Sequence, residues 1–185
     1  SNRKANRSGT RRLHENVFSK ITERNFMKKI YAPWREKYVT RDKEKIDGCV
    51  FCHQLEKNTD DEFFILKRLK HTFIMMNLYP YNGGHVMVLP LAHKATLEEC
   101  THEERCELMD GINLSIQALT QELKPNGFNV GLNMGKAGGG GIPTHLHFHV
   151  VHRWEGDTNF MPLLCNTKPV STDLKTLFEQ LKSRF

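Results

Sequence analysis

The chain has 185 residues, 27 Lys+Arg against 21 Asp+Glu, and a formal net charge of +6, which is length enough for one domain with a proper core, or one domain with an extension. It has no apolar run near the ~18 residues that a membrane span needs, and it does not open on a charged-apolar-small leader. With five cysteines, an odd number, a disulfide framework is disfavoured and a reducing, cytoplasmic setting is expected.

The charge is unevenly placed. Residues 1–47 carry a net +8 and the remainder a net −2, so the basic character belongs to the N-terminal segment and not to the body. Ser1 to Arg12 holds five basic residues, no acid and almost nothing apolar, and reads as a disordered arm. A solvated tail is the preferred reading; the other is a weak electrostatic tether to nucleic acid through residues 1–12. Leu13, Val17, Ile21 and Phe26 have a spacing that allows an amphipathic helix over 13–30. Tyr31-Ala32-Pro33-Trp34-Arg35 ends it. Residues 1–30 are thus expected to be an extension, and 31–185 a single domain.

Asp47-Gly48-Cys49-Val50-Phe51-Cys52 reads as a turn carrying a Cys-x-x-Cys pair. The pair by itself leaves two readings open: half of a tetrahedral zinc site, or two buried structural cysteines. A redox motif would sit at a helix start in a thioredoxin-like pattern, which is not apparent. Antiparallel strands are then expected at Phe63–Leu66, Thr72–Asn77 and His85–Pro90, with a turn over Tyr79–Gly84. Thr96-Leu97-Glu98-Glu99 and Thr101-His102-Glu103-Glu104 both fit a capping box. After the second, Leu108, Met109, Ile112, Ile116, Leu119 and Leu123 recur at helical spacing, so a long amphipathic core helix is expected, stopped by Pro125-Asn126-Gly127. Phe128–Asn133 is a further strand, and Leu174, Leu177, Phe178 and Leu181 give a short terminal helix.

Between these lies the stretch with chemistry in it. In Thr144-His145-Leu146-His147-Phe148-His149-Val150-Val151 three histidines alternate with apolar residues, and a period of two puts the histidines on one face and Leu146, Phe148 and Val150 on the other. A core does not spend a whole face on imidazoles for stability, because each buried ring needs a partner. Imidazole can act as nucleophile, acid-base group or metal ligand near neutral pH. Gly138-Gly139-Gly140-Gly141, just upstream, lets backbone amides approach an anion. The loop lacks the Lys-Ser/Thr of a P-loop and leads into a strand, which sets aside nucleoside-triphosphatase and Rossmann readings. The expected fold is α+β: an antiparallel sheet of about five strands, one long helix and a C-terminal helix.

On Gly141-Ile142-Pro143 followed by His145-Leu146-His147-Phe148-His149-Val150-Val151, the chain resembles the histidine-triad (HIT) superfamily, whose pattern is His-φ-His-φ-His-φ-φ with φ apolar. The resemblance covers about residues 28–185 and includes Ala32–Arg35, Gly48–Cys52, Asn77 with His85, and Arg153–Pro162. That ensemble is similar to the bacterial-type diadenosine tetraphosphate phosphorylases and hydrolases.

The resemblance implies a nucleotidyl hydrolase or transferase that acts at an α-phosphate, with His147 forming a covalent nucleotidyl-imidazole. His149 would contact the phosphoryl and bridging oxygens, and His85 matches the outlying fourth histidine. Asn133 and the amides of Gly140 and Gly141 would complete the phosphate cradle, Asn77 would bind ribose hydroxyls, and Val50, Phe51 and Leu78 would wall the base. It further implies a structural zinc on Cys49, Cys52, His93 and His145, and a homodimer that extends the sheet, with Trp34, Trp154 and the long helix offering apolar surface. His152 departs from the family, many of whose members have proline there. The reading from another class is a nucleotide-binding interaction protein in which catalysis is incidental. Hydrolysis and phosphorolysis stay open, as does the base preference.

Overall fold

The computed structural model describes residues 48–80, 82–135, 137–139, 141–157 and 173–185. The basic extension, the helix expected over 13–30, the Tyr31–Arg35 segment, Gly140 and the block after Asp157 lie outside the described residues.

In chain order the elements are α1 (Val50–Glu56), β1 (Ile65–Arg68), β2 (Thr72–Met76), β3 (Val86–Pro90), α2 (His102–Leu123), β4 (Gly127–Leu132), β5 (Phe148–Arg153) and α3 (Leu174–Lys182). The sheet is antiparallel throughout, in the order β1-β2-β3-β5-β4. The α+β expectation holds, with five strands, the long helix and the terminal helix. None of the described helices is long and apolar enough to cross a membrane.

Period-two alternation gives the sheet two different faces. Ile74, Met76, Val86, Val88 and Val150 point one way, with Leu146, and pack under α2 and α3 against Leu108, Ile112, Leu119, Leu177, Phe178 and Leu181. Phe73, Met75, Met87 and Leu89 point the other way, with Ile65, and meet Phe51 of α1. Most of these side chains are fully buried, each a gain of about 1.5–3 kcal/mol over exposure. Met87 and His149 are partners across β3 and β5, so His149 stands on the second face.

α2 begins on a reciprocal capping box: Thr101 Oγ1 accepts from Glu104 N (3.2 Å), and Glu104 Oε2 accepts from Thr101 N (2.6 Å). It ends where Lys124 turns left-handed at φ +47° ahead of Pro125. Gly111 lets it approach the sheet, since a Cβ there would lie 2.8 Å from Val88 Cγ1.

Four expectations need correction. Cys49-Val50-Phe51-Cys52 is not a turn: Cys49 is the N-cap of α1, and the helix starts at Val50. The first capping-box match, Thr96–Glu99, starts no helix; Glu99 instead accepts from Ala95 N (2.7 Å). Met109 is not core but 50% exposed, on the outer side of α2. The ladder of the histidine strand begins only at Phe148, so His145 and His147 lie ahead of it, keeping the alternation without the cross-strand bonds.

Candidate active site

The second face of the sheet gathers the titratable groups. His147 comes from the extended segment entering β5, and the carbonyl of His145 lies 2.8 Å from its Nδ1. That nitrogen must therefore carry the proton and donate, which leaves the lone pair on Nε2. The Phe51 ring stands 5.5 Å from the rings of both His145 and His147, centroid to centroid. His149 lies on the other side of His147, at 4.9 Å.

His149 continues into a run of hydrogen bonds. Its Nδ1 is 2.9 Å from His85 Nε2, and His85 Nδ1 is 3.2 Å from the Asn77 amide nitrogen. Asn77 Oδ1 accepts from Tyr79 N–H at 2.9 Å. Asn133 Nδ2 approaches His149 Nε2 at 3.5 Å. The turn that carries His85 is braced by Asn77 N–H to His85 O (2.8 Å), His85 N–H to Asn82 O (3.1 Å) and Asn82 Nδ2 to His152 O (3.0 Å). Burial, reinforced by His149, His152 and His147, lowers His85 to about pH 3. Burial and His147 lower His149 to about 4. Both rings are neutral at pH 7.

A second group abuts the first. One ligand atom from each of Cys49, Cys52, His93 and His145 falls within 4.8 Å of all the others. His145 Nδ1 is 3.3 Å from Cys49 Sγ and 3.6 Å from Cys52 Sγ, and His93 Nδ1 is 3.4 Å from Cys52 Sγ. Tetrahedral zinc with its usual Zn–S and Zn–N bonds has S···N edges of about 3.6 Å. The donor set and its spacing fit that ion. His145 Nε2 donates to Pro90 O at 2.9 Å, so Nδ1 offers its lone pair to the sulfurs, as a ligand histidine held by an outer carbonyl does. Burial and the adjacent Cys49 raise the Cys52 thiol to about 11; a divalent cation reverses that preference, because it binds the thiolate.

The structure thus brings together His85, His147, His149, Asn77, Asn133 and Phe51 as one set, and the two cysteines with His93 and His145 as another. Val50 packs partly buried beside Phe51. Leu78 follows Asn77 and is half-buried, and Gly141 is exposed at the end of the glycine loop. Sequence reasoning missed the Pro90 carbonyl and the Tyr79 N–H, and main-chain partners leave no mark in residue identities. It also missed the pairing of Lys94 with Glu104, in which the capping residue of α2 holds the segment next to His93.

The HIT domain profile matches residues 58–156, more than half of the chain. The chain belongs to the HIT family. Among HIT relatives it is 34% identical to an AP-4-A phosphorylase of Mycobacterium tuberculosis over 156 residues, covering 81% of this chain and 80% of that one. It is 27% identical to a bis(5'-adenosyl)-triphosphatase of Saccharomyces cerevisiae over 92 residues, 49% of this chain and 44% of the relative. In fold it is similar to the crystal structure of a zinc-bound histidine triad family protein from Mycobacterium smegmatis, with a TM-score of 0.62 and 22% identity over 74% of this chain and 92% of that one.

Proposed function

We propose that this HIT protein is a nucleotidyl hydrolase or phosphorylase that cleaves dinucleoside polyphosphates of the diadenosine tetraphosphate kind at the α-phosphate, through His147. The observation that carries this reading is the 2.8 Å bond from His147 Nδ1–H to the His145 carbonyl. It directs the lone pair of the neutral ring to Nε2, on the face that also presents His149 and Asn133. The 34% identity to an AP-4-A phosphorylase over most of both chains supports the substrate class.

In the first step the Nε2 lone pair forms a bond to the α-phosphorus, and the bond from phosphorus to the bridging oxygen breaks with its electron pair on that oxygen. His147 keeps its Nδ1 proton, so the imidazolium formed on nucleotidyl transfer remains held by the carbonyl. In the second step an acceptor oxygen, of water or phosphate, attacks phosphorus. The P–N bond returns its pair to Nε2, and the acceptor's proton passes to solvent. His149 and Asn133, side by side on that face, would hydrogen-bond the phosphoryl oxygens. Val50, Phe51 and Leu78 serve as base walls, Gly141 with Gly140 serves the phosphate, and the Asn77 amide keeps hydrogen-bonding capacity for a ribose hydroxyl.

Cys49, Cys52, His93 and His145 would hold a structural zinc, which ties α1 and the segment after β3 to the histidine strand and contributes folding free energy. The four described cysteines form no disulfide with one another, in keeping with a reducing, cytoplasmic location, and a homodimer through the β4 edge completes the proposal.

Diadenosine tetraphosphate incubated with and without inorganic phosphate, and its products separated, tests the reading. AMP with ATP marks hydrolysis and ADP with ATP marks phosphorolysis. Turnover in neither condition would overturn it.

A further inference from the structure

The β5 ladder begins at Phe148, so the peptide group between His145 and Leu146 lies ahead of it and is held elsewhere. Its N–H, on Leu146, donates to the Lys94 carbonyl at 2.6 Å. Its C=O, on His145, accepts the Nδ1 proton of His147 at 2.8 Å. A peptide group is planar and trans, with N–H and C=O on opposite edges. The bond on one edge therefore sets the direction of the other. The Lys94 carbonyl aims the oxygen that holds the His147 ring.

That carbonyl belongs in turn to the peptide group between Lys94 and Ala95. The N–H of this group, on Ala95, donates to Glu99 Oε2 at 2.7 Å. Two peptide groups thus stand in series between a carboxylate and an imidazole. Every donor in the run is an N–H that faces a carbonyl or carboxylate oxygen, so the run has one direction only. Hydrogen bonds in series strengthen one another, and the one that ends on a carboxylate is charge-assisted. Lys94 is held through its side chain as well. Its ammonium pairs with Glu104, a buried carboxylate of the α2 capping box.

The same bonds give Thr96-Leu97-Glu98-Glu99 a purpose, although it has the spacing of a capping box and starts no helix. In a capping box the acid turns back to the N–H three residues before it. Glu99 reaches one residue further, to Ala95, and so braces the peptide group that supports the histidine segment.

We propose that Glu99 is a positioning residue for His147: through the two intervening peptide groups it fixes the carbonyl that holds the ring, and with it the aim of Nε2. The kinetic half of this rests on the nucleotidyl transfer through His147 proposed above. Glu99 is exposed, acts through main chain and moves no proton. Its loss leaves Nε2 in place but less well aimed, which is a loss in kcat and not in KM.

Proton NMR of the full chain, with its native metal content, reads the geometry without turnover. In Glu99→Ala the His147 Nδ1 proton should move upfield, and the Leu146 amide should exchange about tenfold faster or more, since local opening becomes easier. Glu99→Gln, whose amide oxygen still accepts from Ala95, should keep both near wild type. An unchanged Nδ1 proton and Leu146 amide in Glu99→Ala would overturn the proposal. Turnover of diadenosine tetraphosphate then separates aim from stability. Glu99→Ala should lose about 10-fold in kcat, within the ~100-fold that a misplacement of ~1 Å can cost, with KM held within about twofold. Glu99→Gln should recover most of that loss. Thr101→Ala, which weakens the α2 cap and leaves the peptide run alone, should lower Tm and keep kcat. An equal loss of kcat in Thr101→Ala, or no recovery in Glu99→Gln, would overturn the role given to Glu99. The expected NMR changes together with no turnover in the wild type would uphold the positioning of His147 by Glu99 and overturn the function on which the kinetic half rests.

Discussion

The carbonyl oxygen of His145 receives the Nδ1 proton of His147 at 2.8 Å, while the ring of the same His145 turns toward Cys49 and Cys52. One residue therefore serves the sulfur cluster with its side chain and the proposed nucleophile with its main chain. Whatever holds the His145 ring also holds the tautomer of His147.

His147→Ala should lose turnover by several orders of magnitude, as removal of a nucleophile does, with the fold and nucleotide binding retained. Steady-state rates and calorimetric titration of a nucleoside monophosphate into the variant check this. Near-normal rates would remove His147 from its assigned role.

The purified protein should contain about one zinc per chain. Cys49→Ser or His93→Ala should reduce the content and lower Tm. A strong chelator should lower Tm first and activity second, because His147 is not itself a ligand and feels the ion only through the His145 peptide. Elemental analysis of protein made without chelator decides it: no bound ion, with both thiols freely reactive, would leave Cys49 and Cys52 as structural cysteines.

Acid should destabilise the fold through His85. Its folded value near 3 lies below the ordinary histidine value of 6.5, so below about pH 6.5 the unfolded chain takes up a proton that the folded chain refuses. Stability from this ring is complete above that pH. It declines by about 1.4 kcal/mol per pH unit as pH falls toward the folded value. Urea unfolding at pH 7, 6 and 5 should show the decline, and His85→Gln should make it shallower by that amount. Equal slopes in the two proteins would refute the assignment.

β4 is the last strand of the order β1-β2-β3-β5-β4, and Val130 on it is 44% exposed. An open edge with an apolar side chain is a pairing surface. We expect β4 to meet its counterpart across a two-fold axis, so that Val130→Lys, which sets like charges against each other, shifts the chain toward the monomer. Sedimentation equilibrium at micromolar concentration would show a mass near two chains for the wild type, and a single-chain mass would contradict the pairing.

Much of this architecture was written in local pattern. The Thr101–Glu104 box and the helical spacing after it announced α2, apolar runs bounded by turn residues announced β2 and β3, and alternation announced the two-faced histidine segment. The ligand set followed from family resemblance, since nothing local brings His93 to Cys52. α1 escaped because it is seven residues long, its N-cap Cys49 makes no side-chain capping bond, and Val50 and Phe51 are poor helix formers. The exposure of Met109 escaped because periodicity marks a stripe and not its edges. Which carbonyls hold the rings of His145 and His147 escaped, because Pro90 O and His145 O are main-chain atoms, which every residue possesses.

The strand order also bears on how the molecule assembles. β1, β2 and β3 follow one another along the chain and pair as neighbours, and α2 can settle on them as soon as it forms. β5 must then pair with β3 across the whole of α2 and β4, joining Val86 to Val150 and Met87 to His149. Closing so long a loop is entropically late. Until it closes, Cys49 and Cys52 have no His145 beside them, and His147 has neither Phe51 against it nor a neighbour for His149 in His85. The chain thus acquires its chemistry in the last folding event, and an intermediate with β1–β3 and α2 in place is inert toward nucleotide and holds at most part of a metal site.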